Sequence, residues 1–267
     1  MAQVWAITMV RDEVDIIVPT LQHLVTEGVD GLIVADNLST DGTRVELEGF
    51  RSQAPIPVHV VQDDEVGYYQ GRKMTALAHQ AAAYGATWIV PFDVDELWCG
   101  RTKPLATVLR GCREDVVGVR SWTHIETGYD VLEGHAFQRM IYRSPQPSSL
   151  PKVCYRYQKD LAIAQGNDAI MRGGSYLQHR VVDQLEIRHF PARGPDHFYA
   201  KMLRGAKAMA SAPELPPALC SHWRAYGRLI EKYRETDIRA IYFSQFFSAE
   251  PFRQGLVKDP APWCRQT

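Results

Sequence analysis

Trp88-Ile89-Val90-Pro91-Phe92-Asp93-Val94-Asp95-Glu96-Leu97-Trp98 joins an apolar run to three carboxylates. Trp88 to Phe92 reads as a buried strand, because β-branched and aromatic residues cluster there without polar alternation. If the strand period continues, Asp93 and Asp95 project to the same side. Two hard carboxylates converging at a strand end suit Mg²⁺ or Mn²⁺, which take few protein ligands and fill their shell with water and phosphate oxygens. Open α/β sheets also bind ligands at strand ends, so a metal-and-diphosphate site is expected here.

Upstream, the chain alternates strands and helices. Val4 to Val10 predicts a first strand, and Val14 to Val25 an apolar-periodic helix started by Asp12 and Glu13. Leu32 to Ala35 and Val58 to Val61 predict two more strands, and Met74 to Tyr84 an Ala-rich helix stopped at Gly85. With the Trp88 strand this makes four β/α alternations, which implies a mainly parallel sheet with helices on both faces. The loop Asp36-Asn37-Leu38-Ser39-Thr40-Asp41-Gly42-Thr43 is dense in short polar side chains that suit turn and helix-start amides. Asp36, a carboxylate at a strand end, is placed to accept hydrogen bonds from a nucleotide base or ribose. Gln70, Arg72 and Lys73 enter the Met74 helix and offer donors to an anionic ligand.

After Lys103 the pattern changes. Pro104 to Cys112 predicts a short helix, Asp115 to Trp122 a strand, and Pro145 to Pro151 a loop. Leu161 to Ala164 predicts a strand ending in Gln165-Gly166-Asn167-Asp168, and a strand from Leu185 runs into His189-Phe190-Pro191-Ala192-Arg193. Phe198 to Ala210 reads as a helix carrying Lys201, Arg204 and Lys207. Trp223 to Phe247 reads as one long helical region, and 251–267 as an irregular tail.

Composition narrows the classes. At 267 residues the chain can bury one large core. A net charge of −1 gives no electrostatic footprint for nucleic acid or an anionic membrane. The five cysteines, Cys99, Cys112, Cys154, Cys220 and Cys264, are odd in number and lack C-x-x-C spacing, so they read as reduced thiols. No apolar run approaches the roughly 20 residues of a spanning helix, and a cytoplasmic location is expected.

Taken together, the Asp36 to Thr43 loop, Gln70 with Lys73-Met74-Thr75, Gly85-Ala86-Thr87-Trp88, Asp93-Val94-Asp95-Glu96-Leu97 and His189-Phe190-Pro191-Ala192-Arg193 resemble the family 2 glycosyltransferase-like group. More narrowly, they resemble its branch with D-x-D-E and H-F-P-x-R motifs. The resemblance runs from about Val10 to Ala208. It implies a GT-A fold, Rossmann-like, with a mainly parallel central sheet flanked by helices and a helical C-terminal region. Residues 1–210 would form the GT-A domain, with 1–100 as its nucleotide-binding half and 101–210 as its acceptor and metal half; 211–267 would be a helical extension. It also implies a nucleotide-sugar donor, usually a UDP-sugar, and Mn²⁺ or Mg²⁺. Val10, Arg11, Asp36, Gln70, Lys73, Asp93, Arg193 and Lys201 would hold the donor. Asp93, Asp95 and His189 would face the metal.

A transfer with inversion needs a carboxylate to take the acceptor proton. Candidates are Asp168, Glu96 and Glu126. Asp168 stands where the family commonly has histidine in Gly-Asn-His, and Gly194 replaces the family's serine after Arg193. The acceptor stays open among glycans, lipid-linked sugars, small molecules, proteins and a modified base in DNA. A haloacid-dehalogenase-like phosphotransferase would carry its Asp-x-Asp after the first strand, and a sugar nucleotidyltransferase a glycine-rich basic loop there. A non-catalytic nucleotide-binding protein is the third alternative.

Overall fold

A computed structural model describes residues 2–130, 133–216 and 218–261. The first half runs β1 (Val4–Val10), α1 (Ile17–Thr26), β2 (Gly31–Asp36), α2 (Thr43–Gln53), β3 (Val58–Gln62), α3 (Gln70–Ala83), β4 (Trp88–Pro91) and β5 (Glu96–Gly100). Then come α4 (Leu105–Gly111), β6 (Val116–Thr123), β7 (Glu126–Thr127), α5 (Ala136–Arg139), β8 (Tyr142–Arg143) and β9 (Lys152–Arg156). A small hairpin sheet, β10 (Leu161–Ile163), β11 (Ile170–Arg172) and β12 (Ser175–Tyr176), leads to the long β13 (Arg180–His189). The C-terminal part holds α6 (Pro195–Ala210), α7 (Ser221–Lys232), α8 (Glu235–Gln245), β14 (Phe247–Ser248) and β15 (Val257–Lys258).

Eight strands form the central sheet in the order β3-β2-β1-β4-β9-β6-β13-β5. The β3-β2-β1-β4 side is parallel throughout, and β6 and β13 are parallel to one another. β9 and β5 run antiparallel to their neighbours. The fold is therefore mixed α/β with a mainly parallel sheet flanked by helices.

Side-chain alternation makes the two faces. Val4, Ala6, Leu32, Val34, Trp88 and Val90 pack with α1 and α4 in one core. Trp5, Ile7, Ile33, Ala35 and Ile89 pack with Met74, Leu77 and Ala81 of α3 in the other. Burial on both faces explains why these strands read as continuous apolar runs. Pro19 sits in the first turn of α1, where it sacrifices no intrahelical hydrogen bond. Gly71 lets α3 approach the hairpin sheet, since a Cβ there would lie 2.7 Å from the Ile163 carbonyl oxygen.

The structure corrects several local expectations. β4 ends at Pro91, and Asp93 to Asp95 form the tight connection to β5, closed by Glu96 N–H donating to the Asp93 carbonyl at 2.9 Å. The strand period therefore stops before the motif, and Asp93 and Asp95 go to different partners. The third helix begins at Gln70, so Gln70 to Lys73 form its first turn. The long helical region is two helices broken at Tyr233 and Arg234, and the tail contributes β15, which pairs with β8. Asp259, next to β15, accepts from Arg143 and Arg188.

Cys99, Cys112, Cys154 and Cys220 are free thiols; Cys264 lies outside the described residues. Among the described residues no helix is long and apolar enough to cross a membrane.

Candidate functional site

The C-terminal edge of the parallel strands carries the site. β1 ends there in Val10 and Arg11, β4 runs off into Asp93 to Asp95, and β13 ends in His189. Because β9 runs antiparallel to β4, its first residue, Lys152, arrives at the same edge. The β13–β5 register sets His189 opposite Glu96 and so beside Asp95. α6 crosses this edge, its Lys201 reaching Asp95 and its Arg204 reaching Asp12. A cavity of about 510 Å³ opens between the strand ends and α6 and α7.

Two lysine–carboxylate groups form its polar floor. In the first, Asp93 accepts from Gln70 Nε2 and Asn167 Nδ2, each at 3.0 Å, and from Lys152 Nζ at 2.5 Å. Lys152 also lies 3.1 Å from Glu96 Oε1 and donates to the Gly166 carbonyl at 2.9 Å. Burial opposes a charged Lys152, but Asp93 and Glu96 outweigh it and hold the ammonium charged well above its ordinary range. Glu96 is fully buried; burial, which Lys152 only partly offsets, pushes its pKa up. It accepts from the Trp98 indole N–H at 3.2 Å.

In the second group, Asp95 Oδ2 accepts from Lys201 Nζ at 2.6 Å, while Asp95 Oδ1 lies 3.5 Å from His189 Nε2. Burial works against the Asp95 charge, yet Lys201 and His189 hold its carboxyl well below the ordinary carboxylate range. Lys201 is also 3.7 Å from Glu13 Oε1. Arg193 binds Glu13 and Asp15, the latter at 2.7 Å, and donates to the Phe190 carbonyl at 3.0 Å. Asp95, Lys201, Glu13 and Arg193 thus form one alternating chain of charge.

Glu13 makes this chain sensitive to acid. Burial opposes its ionisation, but Lys201 and Arg193 draw its pKa from 4.5 down to about 2. A depressed carboxylate stabilises the fold above its unfolded pKa, and that stability is lost as pH falls through the folded value. Stability should therefore decline from pH 4.5 to about 2, and Glu13→Gln should flatten that decline. Denaturant unfolding at stepped pH checks this; an unchanged acid slope in the variant would remove Glu13 as a contributor.

Of the residues expected from sequence, Val10, Arg11, Gln70, Asp93, Asp95, His189 and Lys201 come together on the cavity wall. Others take different places. Asp36 is buried at the end of β2, accepts from Ser39 N–H at 3.3 Å and lies 4.0 Å from Arg44; its neighbour Asn37 lines the cavity. Lys73 is paired with Asp63 at 2.7 Å. The Arg193 guanidinium is almost wholly buried on acidic partners. Glu96 lies in the core beneath Lys152, and Asp168 is half-buried near Cys220, itself a wall residue. Lys152, Glu13 and Asn167 were not among the expected site residues. Asn167 is buried in the left-handed region at φ 58°, on the turn that also positions Asp168.

The Asp95 Oδ1 and His189 Nε2 pair suits a divalent cation of the kind that completes its shell with phosphate oxygens and water. Asp93 suits it less, because two amides and an ammonium already occupy its oxygens. Among the described residues no three His, Cys, Asp or Glu side chains gather closely enough to hold an ion unaided.

No protein-family model and no curated protein matches the chain. Among solved structures, S. aureus TarS residues 1–349 in complex with UDP-GlcNAc matches at 14% identity and a TM-score of 0.45, covering 94% of this chain and 78% of that one. The same protein in complex with UDP matches at 13% identity and 0.43, covering 95% and 78%. A putative glucose-1-phosphate thymidylyltransferase from Bacillus anthracis, in complex with a sucrose, matches at 10% and 0.34, covering 93% and 86%. These likenesses are too distant to assign a reaction, which rests on the site itself.

Proposed function

We propose that this chain is a glycosyltransferase that moves a sugar from a nucleotide-sugar, a UDP-sugar first among them, to a hydroxyl acceptor with inversion and with the help of Mn²⁺ or Mg²⁺. The observation that carries the reading is Asp95, flanked by His189 on one oxygen and by Lys201 on the other, in the floor of a cavity on the strand-end edge. A bound ion on Asp95 and His189 would supply positive charge to the leaving nucleoside diphosphate. The protein's own part is to keep Asp95 ionised, to hold Lys201 beside it, and to present Val10, Arg11 and Asn37 along the nucleoside end of the cavity. Charge placed where the diphosphate gains it stabilises the transition state more than the ground state.

In this reading residues 1–100 supply the nucleotide half, 101–210 the metal and acceptor half, and 211–267 a helical extension. Asp93 orients the floor by binding Gln70, Asn167 and Lys152. Asp168 is the proposed base: among the described residues no lysine pairs with it, unlike Asp93, Asp95 and Glu96. It would take the acceptor proton as the hydroxyl oxygen attacks the anomeric carbon.

The test is release of UDP from a panel of UDP-sugars in the presence of candidate acceptors. Asp168→Asn should lower transfer by about 10²-fold or more, the usual size of general-base catalysis, with UDP affinity unchanged. Equal turnover in that variant would remove Asp168 as the base, and no UDP release with any sugar and acceptor would count against the reaction.

A further inference from the structure

The cavity has a second end that the donor reading leaves unused. α7 is strongly amphipathic, with Trp223, Tyr226, Leu229 and Ile230 on one side; Tyr226, Leu229 and Ile230 pack on the cluster of α6 and α8, yet no residue of the helix is fully buried. An apolar helix face is normally packed against the core. Here part of it borders the cavity: Trp223 and Tyr226 line it, together with Phe246 from the end of α8 and Met202 from α6. Phe198, also on the wall, is edge-on to Tyr226 with ring centres 5.9 Å apart and tilted against Phe246 at 4.9 Å. Gly205 seats Trp223 against α6, since a Cβ there would overlap the indole.

The α8 part of this end lies apart from the nucleoside end, whereas Trp223 rests on Gly205, next to the Arg204 that reaches Asp12 beside Arg11. Val10, Arg11 and Asn37 close β1 and β2, on one side of the sheet. α8 is fastened to the other side: its Tyr242 hydroxyl binds Glu126 and accepts from Gly194 N–H at 3.2 Å, and β14 pairs with β7. Asp95 and His189 lie between the two ends.

Resting on the glycosyltransferase reading, we infer that the acceptor is an aromatic alcohol, with its ring on Tyr226, Phe246 and Trp223 and its hydroxyl toward the Asp95 floor. A carbohydrate acceptor would bury several hydroxyls, each needing a partner. This wall offers the rings of Trp223, Tyr226 and Phe246 and the Met202 thioether, with His222 and Cys220 as its few polar groups, which favours a flat body carrying one hydroxyl over a carbohydrate carrying several. In the transfer, the phenolic oxygen bonds to the anomeric carbon of the UDP-sugar. The bond from that carbon to the β-phosphate oxygen breaks, its electron pair leaves on UDP, and the phenolic proton passes to Asp168.

The experiment titrates 4-methylumbelliferone, and separately methyl β-D-glucopyranoside, into the full chain preloaded with UDP and Mn²⁺, for the wild type, Tyr226→Ala and Phe246→Ala. The phenol should bind and the glucoside should not. Each variant should weaken the phenol about tenfold, as loss of one aromatic contact implies, with UDP affinity kept within about twofold, a small energy on the same scale. Failure of the phenol to bind the UDP-loaded protein overturns the inference alone, as does wild-type affinity for it in both variants. Failure of the wild type to bind UDP at all overturns the glycosyltransferase reading and the inference with it.

Discussion

Asp95→Asn is expected to lower sugar transfer by about 10³-fold, the scale on which removing a preorganised electrostatic group acts. The carboxylate faces the Lys201 ammonium at 2.6 Å and the His189 imidazole at 3.5 Å. Asparagine keeps the shape but loses the charge, so a divalent ion at His189 loses its anionic ligand. Lys201 then retains Glu13 at 3.7 Å as its acidic partner and shifts away from the diphosphate. The loss should fall on kcat and on metal-dependent donor affinity, with the protein still folded at a lowered melting temperature, because Glu13 offsets part of the Lys201 charge. Parallel steady-state kinetics and melting curves check this. Turnover within about tenfold of wild type, far short of that scale, would show that Asp95 does not carry the transfer.

Lys152→Met should instead be chiefly a folding defect. The ammonium bridges Asp93 and Glu96, and Glu96 is fully buried. Removing one partner of a buried ion pair leaves uncompensated charge and costs about 3–5 kcal/mol. Glu96 can escape that cost by taking up a proton, and burial already raises its pKa. A carboxyl with a raised folded pKa loses stability as pH rises through that value. The defect should therefore deepen as pH rises above 4.5, the ordinary value at which the unfolded chain releases the Glu96 proton. Urea unfolding across that range measures it, and Glu96→Gln in the same background should relieve it. A Lys152→Met protein as stable as wild type at every pH would show that the bridge does not hold the floor together.

The fold was legible where burial speaks directly. β1, β2 and β4 announce themselves as apolar runs because helices cover both faces of the sheet. Asp95, His189 and Lys201 were legible because motif order places each at a strand end or on the helix that follows. Lys152 was not. Its strand, Lys152–Arg156, is five residues long, follows a Pro/Ser loop, and enters the sheet antiparallel between β4 and β6, so only the register reveals that Lys152 meets Asp93. Glu13 looked like a helix-start acid, but α1 begins later, at Ile17, and the freed carboxylate turns to Arg193 and Lys201. Arg193 itself carries the right charge for a diphosphate, yet its partners 178 and 180 residues away in sequence consume it. Pairings across such separations leave no local periodicity to read.

In the proposed reaction Asp95, His189 and Lys201 make a metal-assisted site for a nucleoside diphosphate. Calorimetric titration of UDP into the wild-type protein, with Mn²⁺ and then with chelator, tests it most directly, repeated on Asp95→Asn and His189→Ala. The expected result is saturable UDP binding that Mn²⁺ strengthens in the wild type and fails to strengthen in either variant. UDP affinity that is the same with Mn²⁺ and with chelator, or the same in all three proteins, would contradict it.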